Sequence, residues 1–299
     1  GLYVAGSVGP AIALRFATGF FIAAVYPPAF KLMATWFRRG RGLALGILSG
    51  AIALGSATPH LVNGLGGLDW RVVVIATSLL TLVGGATALF AVTEGPYPFP
   101  VADFDPRQAG RTFANRGVRL ASLGYFGHMW ELFAMWAWFH VFFADVVGSV
   151  RTAAFATFLV IGIGTAGCIV GGALGDRWNR PRTTAVAMAL SGACALTIGA
   201  LVGGPTWLVL IIGMAWGATV IADSAQFSTL VTELADQAYV GTALTLQLAI
   251  GFALTVATIW LIPVVEAANG WWLAFALLAP GPALGIIAML RLERVNLTG

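Results

Sequence analysis

The sequence predicts an all-α polytopic membrane protein. Of its 299 residues, 59% are hydrophobic and only 9% are charged, whereas about a quarter of the residues of a soluble domain are charged. The mean hydropathy is +0.89, and apolar runs recur along the whole chain. A helix needs about 20 mostly apolar residues to cross the hydrocarbon core, and about nine such runs are present. These observations exclude a soluble globular protein.

The predicted spans follow one another with short connections, and glycine is frequent inside them, as close helix packing in lipid favours. One connection, residues 93–118, is longer, polar and basic at its far end, which indicates a linker between two helical blocks. The spans are residues 10–36, 42–64, 70–92, 119–144, 152–175, 183–203, 206–233, 240–265 and 270–291.

The positive charges predict the orientation of the chain. If the connection at 36–42 lies on side one, that side carries twelve of the 16 basic residues. The other side carries Arg71 and Arg151, while Arg15 and Lys31 fall within a span. Loops on the cytoplasmic side carry an excess of Lys and Arg. Side one and the C-terminus are therefore predicted to be cytoplasmic, in the inner cell membrane.

The sequence lacks the motifs of several other classes of protein. Cys168 and Cys194 lie in apolar runs and read as small packing residues, not as a disulfide or a metal cluster. No nucleotide-binding loop of the G-x-x-x-x-G-K-[ST] kind occurs, and no nucleic-acid patch. We therefore expect no cofactor, no nucleic acid and no ATP-driven step, with the lipid bilayer as the main partner.

Two short segments recur in the same order near each end of the chain. GLAL at 42–45 falls opposite GTAL at 241–244, and LDWR at 68–71 falls opposite NGWW at 269–272. Together they place the first three spans in register with the last three, as in transporters with repeated halves. If the second block has six spans, the first should have six as well. We therefore expect three spans to precede this sequence.

Residues 172–182, GALGDRWNRPR, resemble the signature loop of the major facilitator superfamily, G-x-x-x-D-R/K-x-G-R/K. Asn179 stands where the usual residue is Gly, and Asn also tolerates a left-handed turn. The segment RFATG at 15–19 is similar to the arginine motif in the fourth helix of that superfamily. The loop matches at Gly172, Asp176, Arg177 and Arg180.

The resemblance implies a major-facilitator-type helical bundle in two lobes, with about nine of twelve transmembrane helices present. Residues 1–92 would be helices four to six, the second half of the N-terminal lobe. Residues 93–118 would be the cytoplasmic central loop, and residues 119–299 the six-helix C-terminal lobe. A monomer is expected.

The signature loop predicts a cytoplasmic gate. Asp176 follows a helix end and can face the positive N-terminus of a neighbouring helix. Arg177, Arg180 and Arg182 supply donors for carboxylates or carbonyls on the same face. Such a cluster would hold one side of the protein shut. The alternative is that these arginines only anchor the loop on the positive side.

Glu131 lies near the midpoint of the span 119–144, where charges are costly and usually functional. His128 precedes it by three residues, so the two share a helical face, which Tyr125, Met135 and Trp138 continue. A carboxyl group there can bind and release a proton. Two alternatives remain: a permanently neutral acid bonded to a neighbouring helix, and a metal site with His128.

Four other polar side chains within the spans are candidates. Asp223 shares a face with Gln226, and Arg15 lies on a stripe with Tyr26, which two helix-bending prolines follow. By the resemblance, the spans that hold Arg15, Glu131 and Asp223 are helices four, seven and ten, which line the central cavity of the superfamily.

The sequence therefore predicts a secondary active transporter of a small-molecule substrate, working by alternating access and coupled to protons. Glu131, with Asp223, would carry the proton, Arg15 would hold an anionic group, and Trp138 and Tyr26 would shape the pocket.

Three alternatives stay open. One is an anion carrier similar to nitrate, nitrite or cyanate carriers, although the fifth span lacks the arginine that nitrate carriers use. Another is an uncoupled facilitator. The third is a membrane-embedded metalloenzyme that uses His128, Glu131 and His140, although no H-E-x-x-H motif occurs.

Overall fold

The computed structural model of the chain describes residues 1–100 and 107–297. Within these ranges every long regular element is an α-helix. In chain order the helices are α1 (Val8–Ala23), α2 (Tyr26–Ala34), α3 (Arg41–Gly64), α4 (Trp70–Ala91), α5 (Arg107–Thr112), α6 (Arg116–Val147), α7 (Val150–Gly162), α8 (Gly164–Arg177), α9 (Arg180–Ile198), α10 (Thr206–Thr219), α11 (Ser224–Leu234), α12 (Val240–Ala276) and α13 (Pro280–Leu297).

Eight helical stretches in the described ranges are long and apolar enough to cross a membrane. The last of them, Gln237–Val295, has 59 residues. A straight helix of that length would measure about 88 Å, nearly three times the ~30 Å hydrocarbon core. It bends instead at Gly270, whose φ is +78°. The stretch therefore accommodates the two predicted spans 240–265 and 270–291, and the chain is a multi-pass membrane protein.

Four of the predicted spans are interrupted, the ninth of them at 277–279, between α12 and α13. The first breaks where the two prolines predict a bend: α1 ends at Ala23 and α2 begins at Tyr26 with proline in its first turn. The fifth breaks at Ile163, between α7 and α8. The seventh was predicted to be continuous but breaks at 220–223, between α10 and α11. Discontinuous helices in transporters are typical of binding sites, and Asp223 is the last residue of this break.

The helices run between two ends of the bundle. We call the end with the arginine-rich connections the basic end: α3 and α6 begin there, and α8 finishes there at Arg177. At the opposite end, Nε of Arg151 donates to the carbonyl oxygen of Gly64 over 2.9 Å. This bond ties the end of α3 to the start of α7.

Two apolar clusters fill the bundle, one toward each end. The helices α1 and α4 contribute no buried residue, so the packed core comes from α2, α3 and α6 to α13. Large members of the cluster toward the opposite end are Phe139, Phe142, Phe143, Trp216, Trp271 and Phe275. Large members of the cluster toward the basic end are Phe30, Leu45, Phe227, Leu230, Leu244 and Met289.

The helices α3 and α8 touch backbone to backbone. A Cβ atom added at Gly46 would lie 2.5 Å from the carbonyl oxygen of Cys168, and one added at Gly50 would lie 3.2 Å from Thr165. The hydroxyl of Thr165 donates to the carbonyl oxygen of Gly50 over 3.0 Å. Small residues permit such close approach between membrane helices. The buried small residues of α3 include Gly42, Gly46, Gly50, Ala53 and Ala57.

The second face of α8 packs against the interrupted span. Gly167 and Gly171 lie against the carbonyl groups of Ala218 and Ala222, with no room for a side chain between them. The thiol of Cys168 lies 3.4 Å from the carbonyl oxygen of Ile221. The break at 220–223 is therefore held directly by α8.

The element boundaries follow the sequence repeat. Helix α3 begins one residue before Gly42, and α12 begins one residue before Gly241, the two positions that the repeat aligns. Helix α4 begins at Trp70, and α12 resumes after its kink at Trp271. Equivalent positions in the two segments thus start equivalent helices.

The contact between α3 and α8 predicts that Gly46→Ala destabilises the protein. The added methyl group meets the Cys168 carbonyl oxygen, and overpacking of this kind costs about 1–3 kcal/mol. Thermal unfolding of the detergent-purified protein should show a lower Tm.

Gly55→Ala is the matched control, because Gly55 is an exposed glycine of the same helix with no atom near an added Cβ. Alanine has the better helix propensity, by up to ~1 kcal/mol, so this variant should keep or raise the Tm. Equal Tm values for both variants would contradict the close contact.

Candidate functional site

The carboxyl group of Glu131 is buried among three helices. Its side chain comes from α6, and only 1% of the residue is exposed. Nε1 of Trp216 in α10 donates to Oε1 over 2.6 Å. The hydroxyl of Ser191 in α9 donates to Oε2 over 2.9 Å. Both carboxyl oxygens therefore have a donor, as a buried carboxylate requires.

His128, one turn earlier on α6, faces Asp223 at the helix break. Its Nδ1 lies 2.8 Å from Oδ1 of Asp223, and both side chains are nearly fully buried. The two atoms are at ion-pair distance without hydrogen-bond geometry, and Nε2 of His128 has no partner within the described residues. Three ionisable side chains thus lie together on α6 and the adjacent break.

The rings of Tyr125 and Phe227 flank His128, with centroid distances of 5.9 and 5.6 Å. Both residues belong to the cluster toward the basic end, whereas Trp216 belongs to the other cluster. The ionisable group therefore lies at the seam between the two apolar clusters, screened from water on both sides.

A cavity of about 40 Å³ lies beside this group, between α2 and α3 on one side and α6, α11 and α12 on the other. The helices before the connection at 93–118 contribute Tyr26, Phe30, Ser49 and Ile52 to its wall. The helices after that connection contribute Tyr125, Trp136, Ser224, Ser228 and Phe252. Oγ of Ser49 and Nε1 of Trp136 are buried without a partner in the described part of the chain. Buried polar atoms are normally bonded, so these two are available to a ligand.

The ionisable group stands one layer behind the cavity wall. Tyr125 is part of the wall and contacts the His128 ring, and Ser224 is part of the wall and follows Asp223 in the chain. Neither Glu131 nor His128 lines the cavity itself. A ligand in the cavity is therefore separated from the acids by single side chains.

The face of α6 that meets the cavity differs from the expected one. The expected face continued from Glu131 to Met135 and Trp138. The wall instead holds Trp136, and Nε1 of Trp138 donates to the Ile259 carbonyl oxygen of α12 over 2.9 Å. Trp138 therefore anchors α12 to α6.

The other candidate residues within the spans lie in three different places. Tyr26 lies in the cavity wall, with its ring edge on to Phe252 at 6.0 Å. Arg15 is exposed on α1, and no contact of the described residues joins it to the ionisable group. Gln226 lies apart from the ionisable group, near the charged residues of the basic end described below. Its Nε2 donates to the Gly171 carbonyl oxygen over 3.0 Å.

Asp176 links α8 to α3 at the basic end. Its carboxylate oxygens accept the backbone N–H groups of Gly42 and Leu43, at 2.9 and 2.8 Å. These groups belong to the first turn of α3, where the helix dipole favours negative charge. The sequence analysis placed Asp176 after a helix end, whereas it lies in the last turn of α8, from which its carboxylate reaches the N-terminus of α3.

Arg180 contacts the other polar side chains around Asp176. Its guanidinium lies 2.8 Å from Asp176, holds Glu233 through two bonds of 3.0 and 2.9 Å, and donates to Oε1 of Gln226 over 3.1 Å. Glu233 was not among the predicted residues. A signal existed, since its connection, 232–239, carries two acids and no base on the otherwise basic side.

The remaining loop residues have different roles. Arg182 pairs with Glu293 of α13. Gly172 lies against the Gly42 carbonyl group, which brings Asp176 within reach of α3. Arg177 is exposed and has no partner among the described residues.

Ser191 and Trp216 were missed by sequence reasoning. A serine and a tryptophan in apolar spans are ordinary residues, and nothing in their spacing points to Glu131. Only the packing of α9 and α10 against α6 brings them together. The described residues contain no group of three or more His, Cys, Asp or Glu side chains that could hold a metal ion.

Comparison with known families agrees with this architecture. The family model of the Major Facilitator Superfamily matches residues 1–258. No curated protein matches the chain. The match covers most of the sequence, so the chain belongs to the Major Facilitator Superfamily, a family of membrane transporters.

Proposed function

We propose that this protein is a proton-coupled secondary transporter of a small solute, working by alternating access. The supporting observation is the buried ionisable group of Glu131, His128 and Asp223 directly behind a cavity shared by both halves. In this proposal the cavity binds the solute and the group behind it binds the coupling proton.

Glu131 is suited to hold a proton reversibly. A charge at this depth is costly, but two donors stabilise the carboxylate when it forms. The Ser191 hydroxyl also lies 3.2 Å from the Met188 carbonyl oxygen. When Glu131 is protonated, that hydroxyl turns to Met188 and accepts from the acid. When Glu131 is charged, it turns back and donates. Both states are then satisfied without moving a helix.

The second acid supplies the next proton position. His128 lies one helical turn from Glu131 along α6 and is 2.8 Å from Asp223 at the helix break, and Nε2 of His128 is unpartnered within the described chain. A proton held between these groups is one side chain, Tyr125 or Ser224, away from the cavity. Solute binding and proton binding are thus adjacent.

The cavity wall indicates the chemistry of the solute. It is largely aromatic and apolar, and its unpartnered polar atoms are the Ser49 hydroxyl and the Trp136 indole N–H. We infer a small, mainly apolar solute with at least one hydrogen-bond acceptor. No described wall residue is cationic, so the cavity gives no support to an inorganic anion such as nitrate.

The cavity is small. About 40 Å³ is room for only a few water molecules, since one water needs about 10–15 Å³ on the same measure. The solute would enter when α2 and α3 move away from α6 and α11. At the basic end, that motion has to break the bonds from Asp176 to α3.

Glu131→Gln should abolish proton-driven uptake and leave solute exchange intact. The amide keeps the shape and the Trp216 bond but cannot release a proton. A thermal-shift screen would first identify a stabilising solute. Uptake into proteoliposomes would then be measured with and without a pH gradient.

Glu94→Gln is the control for this experiment, because Glu94 is an exposed acid outside the bundle. It should transport like the unaltered protein. Proton-driven uptake that survives in Glu131→Gln would refute the coupling role of this acid.

Asp176→Asn should open the basic end more often. The change removes the charge that the α3 N-terminus stabilises, which weakens the contact by about 1–2 kcal/mol, or roughly 5–30-fold in population. Cys168 of α8 is fully buried inside the bundle, with its thiol against the Ile221 carbonyl group, so opening of the bundle should accelerate maleimide labelling of Cys168 by that factor. Cys194 is first replaced by Ser.

Asp236→Asn makes the same substitution in an exposed connection at the same end and should leave the labelling rate unchanged. Identical rates in the two variants would mean that Asp176 does not hold this end closed.

A further inference from the structure

Two of the three histidines in the sequence face each other across the bundle. His60 lies on α3, one turn before the helix ends at Gly64, and His140 lies on α6, two turns before the end of that helix. Their ring centroids are 5.6 Å apart, and the ring planes are tilted by 39°. The pair is located toward the opposite end, far from the arginine-rich connections.

Both rings present an unsatisfied nitrogen. Nδ1 of His60 and Nδ1 of His140 are each buried and have no hydrogen-bond partner within the described residues. A buried imidazole nitrogen is normally bonded to a carbonyl, a carboxylate or water. Two such nitrogens on facing rings therefore call for a shared partner.

The spacing of the rings fits one metal ion. Two imidazoles that bind the same tetrahedral Zn²⁺ through bonds of ~2.0–2.1 Å have ring centres about 5–6 Å apart. The observed distance of 5.6 Å lies in that range. The helices are thus already at the spacing that a shared ion requires.

Nearby charges at this end are already engaged. The Arg151 guanidinium donates to the Gly64 carbonyl oxygen, and the Asp145 carboxylate accepts from the Trp271 indole over 2.9 Å. The first is directed to backbone and the second toward α12. Neither of these two charged groups is directed at the imidazole pair.

We propose that His60 and His140 form a binding site for a divalent d-block cation such as Zn²⁺, with water completing the coordination. Neutral imidazole is a preferred ligand of zinc, copper and nickel. Because α3 and α6 belong to different halves, the bound ion links the halves at the opposite end. Binding itself is independent of the proposed transport function, and only the effect on lobe opening rests on it.

The test uses purified protein without a polyhistidine tag, which would bind the metal itself. Zn²⁺ is titrated while thermal unfolding is followed by tryptophan fluorescence, and Cu²⁺ is added separately for electron paramagnetic resonance. We expect one Zn²⁺ per chain, a Tm that rises with Zn²⁺, and a Cu²⁺ spectrum with two nitrogen ligands.

His60→Asn and His140→Asn should each raise the Kd for Zn²⁺ at least about tenfold. Asparagine keeps most of the side-chain size, so folding is preserved, and the comparison is the Zn²⁺-induced shift within each variant. His128→Asn, which removes the third histidine, should keep the full shift even if its own Tm is lower.

Two results would overturn the site: absence of stoichiometric Zn²⁺ binding in the unaltered protein, or undiminished binding in both single variants. Neither measurement involves a solute or a pH gradient, so failure here is separate from failure of the proton-coupling proposal. Hydrogen exchange should also slow at the ends of α3 and α6 near Gly64 and Val147 when Zn²⁺ is present in the unaltered protein, and should not slow in His60→Asn or His140→Asn.

Discussion

The direct contact between the backbones of α3 and α8 is the constraint on which the rest of the structure depends. Glycines on both helices leave no room for side chains at this contact. It places the first turn of α3 against Asp176, and it brings Ser49 and Ile52 opposite the α6 and α11 residues that complete the cavity. A bulkier interface would separate both the charged cluster and the cavity wall.

The buried ionisable group is bonded at Glu131 but not at His128 and Asp223, and it lies where two apolar clusters meet. Glu131 has a donor on each oxygen, and a fully bonded buried acid avoids most of the cost of desolvation. The atoms left unbonded, on His128, Ser49 and Trp136, lie at or next to the cavity. The same helices thus supply bonded polar atoms, which stabilise the fold, and unbonded polar atoms, which the proposed function uses.

Much of the fold followed from the sequence because spans, prolines and a helix-facing aspartate are local features. Apolar length predicts the crossings, and the prolines after Tyr26 predict the break between α1 and α2. The break at Asp223 was missed, since no proline marks it and the packing of α8 holds it. The face of α6 that lines the cavity was also missed. Periodicity puts His128 and Glu131 on one face of the helix, but it does not say which neighbouring helix that face meets. The contacts of Ser191 and the His60–His140 pair arise only from tertiary packing.

The two faces of α8 have an energetic consequence. One face bears on α3 and so on the separation of the halves, while the other, at Gly167 and Gly171, bears on the segment that carries Asp223. A shift of α8 therefore changes the packing of α3 and the surroundings of Asp223 at the same time. Thermodynamic linkage makes such an effect reciprocal: if the position of α3 alters the affinity of the buried acids for a proton, protonation alters the equilibrium between the two positions of α3 by the same factor.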